Sequence, residues 1–198
     1  METTTNFEKH NNKNPMAQAV YANFYKELLI FLKSVKHTTI LDAGCGEGFS
    51  LNRLKEAGIK APMEGIDFDA TAIKIGKKLF PDFKLKQGSV YKLPYKDNSF
   101  DIVLCNEVLE HLEEPEKALA ELKRVTKSHL LLSVPNEPIH RLQRMARGKA
   151  ILKLGRHPEH INHWTFFSFR TFLRRNGLTL KKVSYPFPYA WTLVLAEK

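Results

Sequence analysis

Glu107, Glu110 and His111 stand at positions i, i+3 and i+4, a spacing that brings two carboxylates and an imidazole to one face of a helical turn. Such a set suits a hard or borderline divalent ion such as Mg or Mn, and it equally lets His111 serve as a general base. A second run, Arg156-His157-Pro158-Glu159-His160-Ile161-Asn162-His163-Trp164-Thr165, adds three histidines just before a predicted helix. If His140 points the same way, five of the eight histidines gather at one edge. Of these, His157 and His163 read as structural or substrate-facing residues rather than ligands.

Upstream lies a glycine loop, Asp42-Ala43-Gly44-Cys45-Gly46-Glu47-Gly48, at a strand-to-helix turn. Backbone must approach a ligand closely there, and side chains would obstruct it. Phe49 occupies the position where the GxGxxG dinucleotide fingerprint needs glycine or a small residue, which argues against a nicotinamide cofactor. Asp67 follows Gly48 by nineteen residues, at the end of the next strand, where a carboxylate can accept both hydroxyls of a ribose. The competing reading of Asp67 is a helix N-cap.

The elements that must hold these groups alternate along the chain. Strands are predicted over 38–43, 63–68, 83–87, 100–106, 129–134, 179–185 and 191–196, and helices over 20–35, 49–57, 70–80, 115–127 and 165–176. The run FDIVLCN at 100–106 has an unbroken apolar centre at 102–105, as in a strand buried on both faces. This alternation predicts an α/β, Rossmann-like domain with a mostly parallel sheet, helices on both faces, and ligands beyond the carboxyl ends of the strands.

With 198 residues and 43% hydrophobic content, the chain matches one globular core with an insertion. Residues 1–14 read as a disordered polar tail and 15–198 as a single domain, interrupted by a basic amphipathic insertion at 136–160. No apolar run approaches the roughly 20 residues needed to span a bilayer, and no secretory leader is visible, so a cytoplasmic protein is expected. Cys45 and Cys105 have no partner at finger spacing and are expected to be reduced thiols. Of the net charge of +10, residues 138–158 carry six basic side chains and 165–185 five, with no acid in either stretch. Within the insertion, Ile139, Leu142, Met145 and Ala146 alternate with Arg141, Arg144 and Arg147 at helical spacing. Such a helix could lie on an anionic membrane surface, grip RNA, lid a pocket, or simply be a solvated face.

The ordered set DAGCGEG, GIDFD and QGSVYKLPYKDNSFDIVLCNEVLEHL resembles the class I S-adenosylmethionine-dependent methyltransferases over about Ile40 to Leu112. The resemblance implies a seven-stranded sheet with its last strand antiparallel. It also implies S-adenosylmethionine as cofactor, with Asp42, Gly44 and Gly46 along its methionine part and Asp67 on the ribose. Ser89 and Val90 would border the adenine, and Asn106 would be a further cofactor contact. Ser89 departs from the acid that the family more often carries there.

The EVLEH segment with the later histidine is similar to two branches of that family. In the small-RNA 3′-terminal 2′-O-methyltransferases, two glutamates and two histidines bind a divalent metal, and Glu107, Glu110, His111 and His160 match those positions. In the ubiquinone-pathway O-methyltransferases, a similar motif precedes a basic insertion that meets the membrane. The expectation is transfer of a methyl group to an oxygen of a small lipophilic or anionic acceptor, with His111, His160 and Glu107 as the catalytic candidates. The alternatives are 2′-O-methylation of an RNA 3′ end, and a cofactor-binding sensor or non-catalytic partner.

Overall fold

The computed structural model describes residues 3–146 and 159–198. Seven strands form one sheet: β1 (Ile40–Ala43), β2 (Met63–Asp67), β3 (Lys84–Gln87), β4 (Phe100–Asn106), β5 (Thr126–Pro135), β6 (Thr179–Ser184) and β7 (Trp191–Glu197). Their order is β3-β2-β1-β4-β5-β7-β6. All pairings are parallel except those of β7, which runs antiparallel between β5 and β6. The helices are α1 (Thr5–His10), α2 (Pro15–Lys33), α3 (Phe49–Glu56), α4 (Ala70–Leu79), α5 (Pro115–Val125), α6 (Glu137–Ala146) and α7 (Phe166–Arg175), with a short 3₁₀ turn at Leu109–His111.

The period of two in the central strands divides the core between the sheet's faces. Val103, Cys105, Leu130, Leu132, Val194 and Ala196 join Leu119 and Leu122 of α5 and Phe169 and Leu173 of α7. Their neighbours Ile102, Leu104, Leu131, Leu193 and Leu195 join Phe24, Leu28 and Leu32 of α2. A strand segment covered on both sides can be apolar throughout, and the middle of β4, residues 102–105, is for that reason an unbroken hydrophobic run. The strand order reverses between β1 and β4, and the carboxyl ends of those two strands open onto the crevice where such sheets take ligands.

Two expectations change. Residues 1–14 are not uniformly a loose tail: Thr4 caps α1 by accepting a hydrogen bond from the Phe7 amide, and α1 packs on the glycine loop. The insertion begins as α6, with Leu142 two-thirds exposed and Arg141 turned back onto Glu137 rather than outward. Arg147, Lys149, Lys153, Arg156 and His157 lie outside the described residues.

Candidate active site

The glycine loop leaves β1 and is held by the end of β2. The Gly44 and Cys45 amides donate to the Ile66 carbonyl at 2.7 and 3.1 Å. The Gly46 amide donates to Asp67 Oδ2 at 2.7 Å, and the Asp69 amide to Asp67 Oδ1 at 2.9 Å. Gly44 adopts φ 88° and Gly46 φ 53°. A Cβ on Gly44 would fall 2.2 Å from a Val108 methyl, and one on Gly46 would fall 2.6 Å from the Asn6 amide. Both conformation and space therefore exclude side chains at these two positions. Between them, Cys45 is buried against Gly65, and burial pushes its thiol far above the ordinary range.

Two polar side chains at the crevice lack partners. Asp42 is buried at the end of β1 with Oδ2 unsatisfied, and burial, aided by Asp67, lifts its carboxyl to about 7. Asn106, at the end of β4, buries both Oδ1 and Nδ2 without a hydrogen bond. Buried polar atoms left orphaned in this way mark a place where a ligand supplies the missing donors and acceptors. Asp67 keeps acceptor capacity beside its two backbone donors, because a carboxylate offers about four lone-pair sites. The donors and acceptors present thus fit a cofactor carrying an ammonium group and a ribose. Farther along, Val90 is buried, whereas Ser89 is exposed and its hydroxyl already accepts from the Tyr91 amide at 3.2 Å.

Helix α1 covers this loop. Glu47 is fully buried and accepts from Thr4 Oγ1 and Asn6 Nδ2. Lys9 Nζ lies 2.8 and 2.9 Å from the two oxygens of Glu107, and the His10 ring stacks on Phe49 at 4.6 Å. Burial works against a charge on Glu107, but Lys9 outweighs it and holds the carboxyl below its usual range. The same burial, together with Lys9, pushes His10 down to about 4. Two buried acids, Glu47 of the glycine loop and Glu107 of the turn after β4, need these polar partners, which in the sequence read as a solvated tail.

Beyond β4 the chain turns through Glu107 (φ 56°) into the 3₁₀ turn. Glu110 is 1% exposed with neither oxygen partnered, and burial followed by Glu107 raises its carboxyl well above the usual range. Residues 159–163 are clamped onto this turn. The Ile161 and Asn162 amides both donate to the Glu110 carbonyl at 2.9 Å, and the Asn162 side chain donates to the carbonyls of Leu109 (3.0 Å) and Leu112 (2.6 Å). This clamp sets His160 edge-to-face against His111, with 5.0 Å between ring centroids.

His111 Nδ1 lies 2.9 Å from the Glu159 carbonyl, and His160 Nδ1 lies 2.5 Å from Glu137 Oε1. Glu137 sits in the first turn of α6, also taking Arg141 Nε at 3.1 Å. Burial alone would raise its carboxyl, but His160, His140 and Arg141 bring it down to about 2.

Of the four residues expected to act as metal ligands, Glu110, His111 and His160 come together, with candidate ligand atoms within 4.8 Å of one another. Glu107 is withdrawn to Lys9 because the left-handed turn at its own position sends it toward α1. His140 does join the cluster, stacking on His160 at 5.5 Å, and shares a second grouping with Glu137 and His160. Sequence reasoning missed Glu137 and Asn162. The one available signal for Glu137 was its place as an acid at the head of an otherwise acid-free stretch.

Comparison with known proteins agrees with this geometry. Residues 41–132 match the methyltransferase domain family. Over 108 residues the chain is 40% identical to an uncharacterized methyltransferase of Schizosaccharomyces pombe, covering 48% of this chain and 39% of that one. Over 88 residues it is 40% identical to a demethylmenaquinone methyltransferase of Renibacterium salmoninarum, covering 44% and 36%. The matched stretches therefore span under two fifths of these curated relatives. In three dimensions it is similar to a SAM-dependent methyltransferase from Aquifex aeolicus, with TM-score 0.70 and 20% identity over 98% of this chain and 99% of the other. In sheet order, in its glycine loop and in the domain matched over residues 41–132, the chain is similar to the class I S-adenosylmethionine-dependent methyltransferases.

Proposed function

We propose that this chain transfers the methyl group of S-adenosylmethionine to an oxygen of a small lipophilic or anionic acceptor. The carrying observation is that the orphaned Asp42 and Asn106 close the carboxyl ends of β1 and β4, and that the turn directly after β4 carries His111, against which His160 packs from the segment before α7. Asp42, Gly44, Gly46 and Asp67 take the cofactor, with Val90 against the adenine and Ser89 at its rim. Bound cofactor supplies an activated methyl group that needs little further help. The protein's task is to align the acceptor oxygen in line with it and to remove that oxygen's proton. His111 and His160 are the proposed bases: each is held through Nδ1, which leaves Nε2 as the basic nitrogen of the neutral ring.

A second reading is favoured by Glu110, whose two oxygens are buried and unpartnered beside both histidines. Those three residues fit a divalent ion such as Mg or Mn, which would lower the pKa of an acceptor hydroxyl. This arrangement supports 2′-O-methylation of an RNA end, without Glu107 among the ligands. The similarity to a demethylmenaquinone methyltransferase supports the lipophilic acceptor. Among the described residues no helix is long and apolar enough to cross a membrane.

Labelled methyl transfer into a whole-cell extract separates these readings. Label in the organic-extractable fraction supports the small lipophilic acceptor, and label released by nuclease supports the RNA end. Tight cofactor binding without transfer would overturn both and leave a sensor or non-catalytic partner.

A further inference from the structure

We propose that Glu137 is a positioning residue that locks His160 in the Nδ1–H tautomer and so makes Nε2 its basic nitrogen. The inference rests on His160 having the role proposed above. No motif in the chain announces Glu137; its place in space does.

Three observations carry it. First, the Glu137 side chain is 3% exposed and His160's is 6%, so their 2.5 Å contact is shielded from water and cannot be exchanged for a solvent hydrogen bond. Second, the carboxylate is itself oriented. Arg141 Nε, one turn along α6, donates to Oε2 and leaves Oε1 to His160, while the Glu137 amide donates to the Trp164 carbonyl at 2.9 Å. Of the other groups facing this carboxylate, His163 Nδ1 is 3.8 Å from Oε2, and His140 stacks on the His160 ring at 5.5 Å with a ring nitrogen within 4.8 Å of the carboxylate. Third, His111 is held in the same sense by a different acceptor, the Glu159 carbonyl. Two neighbouring imidazoles, 5.0 Å apart between ring centroids, are thus both anchored through Nδ1.

The chemistry follows from imidazole having one lone pair when neutral. With the proton fixed on Nδ1 by an acceptor, Nε2 becomes the basic nitrogen, whether it takes a proton or binds a cation. In water the opposite tautomer competes, and a histidine without an orienting partner loses part of its population to the unproductive form. A carboxylate is the strongest acceptor available for this purpose.

Long-range ¹H–¹⁵N correlation spectra of histidine-labelled full-length protein at about pH 8.5, where an ordinary imidazole is neutral, test this directly. The expected spectrum shows His160 with protonated Nδ1 and unprotonated Nε2. Glu137→Ala should move His160 toward the Nε2–H form and lower kcat tenfold to a hundredfold, with the KM for S-adenosylmethionine little changed. Glu137→Gln keeps a carbonyl acceptor and should restore the tautomer and most of the rate. An unchanged His111 spectrum in both variants is the control for folding, since its anchor is the Glu159 carbonyl.

A His160 spectrum that is Nε2–H in the unmodified protein, or unaltered by Glu137→Ala, overturns the proposal whatever the turnover. A tautomer that shifts while kcat stays constant upholds the positioning but removes His160 from the proposed reaction.

Discussion

Lys9 and Glu107 are 98 positions apart in the chain and 2.8 Å apart in the fold. Their pairing fastens α1 across the glycine loop, and it accounts for Glu107 standing away from Glu110, His111 and His160.

Lys9→Ala should therefore release α1. A charged hydrogen bond of this kind contributes about 1.5–3 kcal/mol, enough to lower amide protection over residues 5–11 by tenfold or more. Global melting should change little, because α1 can open alone. Hydrogen exchange with unchanged protection would show that the Glu47 contacts hold the helix instead.

Asp42 makes stability fall with rising pH. Its folded-state carboxyl sits at about 7 against an ordinary 3.8, so between those values the folded protein keeps a proton that the unfolded chain has released. The contribution is neutral below about pH 4 and reaches a cost on the order of 4 kcal/mol above pH 7. Asp42→Asn should flatten that slope and stabilise the ligand-free protein at pH 8 while weakening S-adenosylmethionine. Parallel pH–melting curves for the two proteins would reveal it, and curves of equal slope would refute it.

Asp67→Ala should weaken cofactor binding by about 1.5–3 kcal/mol, the range for hydrogen bonds to a charged group. The same change strips the Gly46 and Asp69 amides of their acceptor, so part of the loss comes from a looser loop. Calorimetric affinity equal to that of the parent protein would remove Asp67 from the ribose.

Asn162→Ala deletes two side-chain donors that clamp the His160 segment to the 3₁₀ turn. At about 1 kcal/mol each, urea unfolding should report a loss near 2 kcal/mol. Turnover should fall further than that figure suggests, since His160 loses its register with His111. A stability loss with full activity would separate the clamp from the chemistry.

Should Glu110, His111 and His160 hold a divalent ion, chelator should abolish methyl transfer, and Mn or Mg should restore it. Calorimetry should then show one Mn site that is lost in His111→Ala. Activity indifferent to chelator, with no Mn heat, would leave the histidines as bases only.

The strands were legible because their physics is local. The apolar centre of FDIVLCN, rich in β-branched and aliphatic residues, reads as a strand covered on both sides, and the glycine loop demands a backbone that no other residue tolerates as well. Sequence spacing also brought Glu110 and His111 to the right edge. Helix α1 escaped because polar residues that satisfy buried acids look the same, in one dimension, as polar residues facing water. The Lys9–Glu107 and His160–Glu137 pairs join segments separated by 98 and 23 positions, and no periodicity links such partners. Helix α5 ends at Val125, two residues earlier than predicted, because β5 begins at Thr126, whose hydroxyl caps the Leu122 carbonyl at 2.7 Å.

Cys45 lies inside the glycine loop with its thiol sealed against Gly65, so it reacts only when that loop lifts away from β2. The chain thus carries its own clock for the opening of the cofactor crevice. The rate at which an alkylating reagent consumes this one sulfur, set against the slower Cys105 in the sheet, measures how often the crevice is open and how far a bound nucleoside keeps it shut.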